Sequence, residues 1–344
     1  HGQAGDNGRM SRIAMMGSGA WGTALAISLA RRGGHEIALW SYAKDVAATM
    51  RERRENTAFL PGFQIPESVA VFEDAAEALD SAEIVVSVTP SQFVRSTYVG
   101  FAPHLRAGQL LVSATKGIED ETYLRMTEVI GAVLAARGME LPCGVLSGPS
   151  FAQEVAAGAP TAIAIASTDA QLAIQIQREF SSSSLRLYTN DDVVGVELGG
   201  SLKNVIAIAA GIVAGLGLGF NSNAALITRG IAEITRLAVA CGGRRETLAG
   251  LSGMGDLVLT CTGSLSRNRT VGMGLGQGHK LDDILAGLEG RIAEGVRTTS
   301  AAIGLARRHH VEMPIAEQME AILTRGKAPE SAIQELMQRP GRDE

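Results

Sequence analysis

Short apolar or β-branched runs alternate with helix-length segments up to about residue 190, and helical periods alone follow. The sequence therefore predicts an α/β domain with a parallel-core sheet, then an all-α domain. The strand candidates are residues 12–16, 36–40, 84–88, 110–114, 144–146 and 161–166. Helix candidates among them span residues 21–32, closed by Gly33-Gly34, 44–55, 122–136, closed by Gly138, and 170–180. From residue 193 onward helical periods cover 193–213, 224–241, 298–308, 314–324 and 328–338.

A chain of 344 residues suits two domains, and the change of pattern divides it into residues 10–191 and 192–344. Residues 1–9 are polar and glycine-rich and lack the apolar centre of a signal peptide. They read as a tag remnant or a disordered tail ahead of Met10.

Asp and Glu number 36 against 31 Lys and Arg, a formal charge of −5, so no general field gathers nucleic acid or an anionic membrane. An anionic substrate has to be held by local groups. Cys143, Cys241 and Cys261 are odd in number and too widely spaced for a metal site. This points to reduced thiols in a cytoplasmic protein, with no disulfide framework and no metal. Residues 204–228 carry no charge, but the continuous apolar run 205–220 has 16 residues and four glycines, short of the ~20 that span a bilayer. A buried helix is expected there, not a membrane span.

Gly17-Ser18-Gly19-Ala20-Trp21-Gly22 joins the first strand to the first helix. In such a turn the first glycine permits the tight bend, the second lets the backbone approach a pyrophosphate, and the third lets the helix lie close on the sheet. Free N–H groups at the helix N-terminus then face the diphosphate. A Rossmann-type NAD(P)-binding domain follows from this reading, with Gly17, Gly19 and Gly22 at the cofactor of an oxidoreductase. About twenty residues on, an NAD-specific domain carries an acid for the ribose 2′-hydroxyl. Here stand Trp40-Ser41-Tyr42-Ala43-Lys44, and Asp45 comes late. Nothing repels a 2′-phosphate, and Lys44 or a nearby arginine can pair with it, so NADP(H) is favoured and NAD(H) stays possible.

Four further segments set glycine beside a charge: residues 114–117, 147–152, 197–204 and 253–256. Lys203 stands out as the only charge between Glu197 and Arg229. An ammonium on a buried helix requires a carboxylate or a functional cavity, and desolvation brings its pKa toward the range useful for proton transfer. A lysine snorkelling at the domain junction is the plainer alternative. Asp256 and Thr260 share a face if a helix starts at Asp256, where an acid also serves as a cap. Ser266-Arg267-Asn268-Arg269 sets an arginine fork beside small polar donors, which suits a phosphate or a 2′-phosphate.

Together these segments resemble the bacterial-type NAD(P)-dependent glycerol-3-phosphate dehydrogenases, from about Met10 to the C-terminus. The blocks that carry the resemblance are residues 17–26 (GSGAWGTALA), 114–117 (ATKG), 147–154 (SGPSFAQE), 198–206 (LGGSLKNVI) and 253–272 (GMGDLVLTCTGSLSRNRTVG). The resemblance implies reversible reduction of dihydroxyacetone phosphate to sn-glycerol 3-phosphate, feeding glycerophospholipid synthesis, and a homodimer. It also implies that Ala20, Trp21, Tyr42, Ala152, Ile292 and Glu294 line the cofactor and that Lys116 is shared by cofactor and substrate. Gly148 and Ser150 match substrate contacts. Lys203 matches the proton acceptor for glycerol 3-phosphate oxidation. Asp256, Ser266, Arg267 and Asn268 match substrate-binding positions, with Arg267 also reaching the cofactor and Thr260 placed beside them.

On this footing Lys203 supplies the proton to a developing alkoxide, Lys116 the positive field, and Asp256 orients Lys203, while Arg267 and Asn268 hold the phosphate. Two other readings compete. A β-hydroxyacid dehydrogenase or ketopantoate reductase has no need of Ser266-Arg267-Asn268. A module that senses NADP(H) without turnover has no need of Lys203.

Overall fold

The computed structural model describes residues 10–288 and 292–340, so the expectation for residues 1–9 lies outside the described residues. The strands are β1 (Ser11–Met16), β2 (His35–Trp40), β3 (Glu55–Asn56), β4 (Leu60–Gln64), β5 (Val69–Phe72), β6 (Ile84–Ser87), β7 (Leu110–Ser113), β8 (Cys143–Ser147), β9 (Thr161–Ala166) and β10 (Leu185–Asn190). Eight of them form one sheet in the order β10-β9-β8-β7-β6-β1-β2-β5, and β3 pairs with β4 alone. The helices of this part are α1 (Ala20–Arg32), α2 (Lys44–Arg53), α3 (Ala75–Leu79), α4 (Val94–Phe101), α5 (Met126–Ala135), α6 (Ala152–Ala157) and α7 (Ala170–Phe180). β1 sits centrally, parallel to β2 and β6. Its residues are apolar in succession because both faces are covered. Ile13 and Met15 join the core under α1, and Ala14 and Met16 join the core that α4 and α5 complete.

The expected parallel core is present, with one reversal: β9 runs antiparallel to β8, and β10 follows β9. The connection from β8 to β9 carries only the six-residue α6, so β9 starts at the end of the sheet where β8 stops and runs back. The strands at 69–72 and 185–190 and the hairpin β3–β4 are absent from the sequence reading. β10 alternates buried Leu185 and Leu187 with exposed Arg186 and Tyr188, the pattern of an edge strand. The helix expected over 122–136 starts only at Met126. Glu121 and Tyr123 both take positive φ (67° and 60°), and an Ile118–Arg125 bridge closes the preceding residues into a loop.

Past β10 the chain is helical: α8 (Val193–Gly215), α9 (Phe220–Ala240), α10 (Arg245–Leu248), α11 (Asp256–Thr262), α12 (Arg267–Gly276), α13 (Leu281–Ala286), α14 (Glu294–Arg308), α15 (Pro314–Arg325) and α16 (Pro329–Met337). α8 has the length and composition to cross a membrane, yet 89% of its most apolar window is buried inside the protein. It is the axis of a helical core, with α9, α11, α12 and α14 packed around it. Deep in this core the carboxylate of Glu233 accepts the backbone N–H groups of Ile315 (3.0 Å) and Ala316 (2.9 Å) at the start of α15.

The approach of α12 to α8 decides where Arg267 and Asn268 stand. A Cβ on Gly272 would lie 1.9 Å from the Ile208 carbonyl oxygen, and one on Gly211 would lie 2.1 Å from that of Arg269. Backbone touches backbone here, which only glycine allows. Gly272→Ala is expected to destabilise the protein by about 1–3 kcal/mol through overpacking, read as a lower urea midpoint at unchanged m-value. Gly19→Ala is the control: its Cβ would meet nothing within 4 Å. Its stability should stay within about 0.5 kcal/mol of wild type.

Candidate active site

Lys116 leaves the sheet just past the C-terminal end of β7, and its Nζ donates to the Gly148 carbonyl (3.2 Å) and to Asp256 Oδ2 (2.6 Å). Lys203 comes from the middle of α8, and its Nζ donates to Asp256 Oδ1 and to Thr260 Oγ1, the latter at 2.7 Å. The Thr260 hydroxyl in turn donates to the Asp256 backbone carbonyl at 2.6 Å. A π-helical turn, Leu251–Gly255, leads into α11 and presents Asp256 between the two lysines. Such turns recur at functional sites. Gly200 keeps the intervening space open: a Cβ there would lie 2.3 Å from Ser147 Oγ and 3.8 Å from Lys116 Cδ.

Asp256 is fully buried and Lys203 is 7% exposed. Burial pushes the Lys203 ammonium down to about 8; the Lys116 charge adds to the fall and Asp256 opposes it. Asp256 is the first residue of α11, but its carboxylate goes to the lysines and makes no cap. The carboxylate that the buried Lys203 ammonium requires thus comes from a helix 53 residues away in sequence.

A second group surrounds the start of α14. Glu294 accepts from Ser91 Oγ (2.6 Å) and from the Ser91 backbone N–H (3.4 Å). Burial raises its pKa, against the Ser91 bonds and the nearby charges of Arg267 and Arg297. Asn268 donates to Asn204 Oδ1 (3.0 Å) and accepts the Gly295 N–H (2.9 Å), which ties α12, α8 and α14 together. Ser266 caps α12 by accepting the Arg269 N–H (3.2 Å). Ser150 donates to the same Gly148 carbonyl that Lys116 uses, at 3.2 Å.

The glycine turn forms a third group. Gly17 has φ +142°, and a Cβ there would lie 2.7 Å from the Val88 carbonyl oxygen; one on Gly22 would lie 2.0 Å from that of Gly17. Gly19 faces open space. This is the cradle a dinucleotide diphosphate fits: closed where chain meets chain, open where backbone has to meet phosphate. Ala20 and Trp21 start α1 and Ala152 starts α6, all half-buried. Tyr42 stands apart from the lysines, 87% exposed at the end of β2 and edge-on to Trp40. Ile292 is half-buried ahead of α14. Ser91 and Asn204 are participants that sequence reasoning missed, since nothing local marks a serine or asparagine whose partners come from another helix.

Comparison with known proteins agrees with this geometry. The family described as NAD-dependent glycerol-3-phosphate dehydrogenase matches by its N-terminal part over residues 12–173 and by its C-terminal part over residues 192–334. The chain belongs to this family. Over 338 residues the dehydrogenase is 64% identical to the glycerol-3-phosphate dehydrogenase (NAD(P)+) of Acidobacterium capsulatum, covering 97% of this chain and 100% of that protein. It is 62% identical over 335 residues to the counterpart from Koribacter versatilis, covering 97% and 99%. The crystal structure of glycerol-3-phosphate dehydrogenase from Coxiella burnetii is similar with a TM-score of 0.91 at 40% identity, over 96% of this chain and 99% of that one. A ketopantoate reductase from Ralstonia eutropha shares the fold at 18% identity and a TM-score of 0.54, over 94% and 99%.

Removing the shared carboxylate leaves two ammonium groups facing each other in a closed space. In the dehydrogenase, Asp256→Asn is expected to cost about 3–5 kcal/mol of stability at pH 7. The loss should shrink as pH rises. Asp256 holds the Lys203 pKa up to about 8, so without it the variant's folded state sheds that proton at lower pH; below about 8 the variant binds fewer protons than wild type, and the deficit narrows as pH rises through that window. Urea unfolding at pH 7 and pH 9 measures this; an equal deficit at both would remove the lysine repulsion as its cause.

Proposed function

We propose that Lys203 carries the proton, and Lys116 and Arg267 the fixed charges, with which this dehydrogenase interconverts dihydroxyacetone phosphate and sn-glycerol 3-phosphate, with NADP(H) as the preferred cofactor. What supports the assignment most is the single buried carboxylate of Asp256 gripping both amines. The chemistry a bound reduced nicotinamide supplies is hydride for the ketone carbon.

Negative charge develops on the ketone oxygen as the carbon is reduced, and a donor already aimed at that oxygen lowers the barrier without reorganising. Lys203 Nζ, with a pKa near neutrality, gives up its proton there. Lys116 adds positive charge from the cofactor side. In the oxidation direction the neutral fraction of Lys203 takes the proton of the alcohol. Asp256 and Thr260 fix the amine in one orientation for both directions. Arg267, with Ser266 and Asn268 beside it, holds the phosphate, whose binding energy positions the distant carbonyl. Gly148 and Ser150 line the other side.

The preference for NADP(H) rests on Trp40-Ser41-Tyr42, where an acid would repel a 2′-phosphate, and on exposed Lys44 at the start of α2. A homodimer, a cytoplasmic location and the division of the chain between residues 191 and 192 belong to the same proposal. Their support is the family resemblance, the three free thiols and the helical character that begins with α8. Following the absorbance of reduced nicotinamide with dihydroxyacetone phosphate, with NADPH and NADH in parallel, tests substrate and cofactor together. Folded protein that oxidises neither would overturn the functional assignment.

Two variants separate the roles. Lys203→Ala should lower kcat by about 10²–10⁴-fold, the range of a positioned acid–base group, and leave NADPH affinity nearly unchanged. Wild-type glycerol 3-phosphate oxidation should rise with pH to a plateau set by a group titrating at about 8, because the neutral amine is the acceptor. That limb should vanish in the variant; its persistence would assign the titration to another group. Arg267→Ala should raise KM for dihydroxyacetone phosphate by about 10- to 100-fold, the worth of a charge-assisted hydrogen bond. An unchanged KM would put the phosphate elsewhere.

A further inference from the structure

A glycine turn grips a diphosphate through backbone N–H groups, so the direction of one or two peptide planes decides whether it works. The Ser18 carbonyl, inside the turn, accepts two hydrogen bonds from the protein interior: Asn56 Nδ2 at 2.7 Å and Thr23 Oγ1 at 3.2 Å. Asn56 Nδ2 also donates to Thr23 Oγ1, at 2.8 Å. The amide is fixed from its own side as well, since Asn56 Oδ1 accepts the Phe59 N–H at 3.1 Å within the β3–β4 hairpin. Asn56 is 1% exposed, so no water substitutes for it.

The C=O and N–H of a trans peptide point in opposite directions. No cis peptide occurs among the described residues. With the Ser18 carbonyl held inward, the Gly19 N–H points the opposite way, and the space around Gly19 is open, since a Cβ there would meet nothing within 4 Å. The Ser18 hydroxyl completes the bracing by donating to Ser41 Oγ at 2.7 Å, at the end of β2.

We propose that Asn56 is a positioning residue that presets the Gly19 amide toward the cofactor diphosphate; this rests on the reading of the glycine turn as the cofactor site. Geometry asks for an amide there. Aspartate has the same shape but no donor, and its carboxylate would face the Ser18 carbonyl. The β3–β4 hairpin thereby gains a purpose: it carries a side chain under the turn from outside the main sheet.

The test is titration of the full chain with NADPH by nicotinamide fluorescence, with ADP-ribose and adenosine as competitors and melting temperatures recorded alongside. Asn56→Ala should weaken NADPH and ADP-ribose by about 10-fold, the value of one buried hydrogen bond to a ligand-gripping peptide, and adenosine by less than about 2-fold. Asn56→Asp should weaken both diphosphates further. Should the Asn56 variants not fold, Thr23→Val removes the second donor to the same carbonyl and should show the same split, with Thr23→Ser restoring wild-type affinity. Unchanged NADPH affinity in these variants, or a loss for adenosine equal to that for ADP-ribose, would overturn the inference. Wild-type protein that binds neither NADPH nor NADH would overturn the cofactor reading as well.

Discussion

Two ammonium groups from different parts of the chain share one buried carboxylate, and the rest of the site is arranged around keeping that possible. Taking three charges out of water costs several kcal/mol each, and their mutual attraction repays this only with good geometry and further hydrogen bonds. Thr260 and the Gly148 carbonyl supply those bonds. One positive charge is left over, in a protein whose formal net charge is −5. The attraction for an anionic ligand is therefore local, and it is strongest where a charge developing on a substrate oxygen would complete the balance. A site of this kind is electrostatically unfinished until its ligand arrives.

Placing Lys203 at the centre of an apolar helix imposes a demand on its neighbours. Other elements have to come close on several sides without a side chain in the way, and α8 offers glycine at several of these approaches. Gly199 meets the Ser252 carbonyl of the π-helical turn, Gly200 meets Ser147, and Gly211 and Gly215 meet the backbone of α12. Between these positions the helix is buried, and apolar apart from Ser201, Lys203 and Asn204. The same sequence that resembles a membrane span by composition is, by this spacing, the hub of a water-excluding site.

Lys203, the glycine turn and the Asp256–Thr260 face were legible because each is a local anomaly: a charge in an apolar run, glycines at fixed spacing, an acid and a hydroxyl one helical turn apart. What stayed hidden depends on chain brought from elsewhere. Asn56 is an ordinary polar residue until the hairpin carries it under the turn, and Ser91 is one until Glu294 meets it. The direction of β9 is set by how it pairs with β8, which no periodicity within the strand records. The late start of α5 has the same origin, since Tyr123 holds its positive φ with its ring packed at Gly304 of α14, a partner far away in sequence.

The loop that carries Tyr123 ties the sheet side of the site to its helical side. A left-handed non-glycine residue costs about 1–3 kcal/mol and persists only when its surroundings over-determine it. Here the loop is fastened to α4 by the two hydrogen bonds of Arg95 to Glu119 (2.8 and 2.7 Å), and Arg125 pairs with Glu197 on α8. The Tyr123 ring fills the place of a side chain at Gly304 on α14, with the Arg308 guanidinium 4.9 Å above it. The loop begins at Lys116, and α14 begins at Glu294, which Ser91 grips from the sheet side. Sheet and helices are thus tied on both flanks of the lysine cluster by contacts that involve neither Lys203 nor Asp256. The distance between the glycine turn and the Lys203 amine is set by the fold itself.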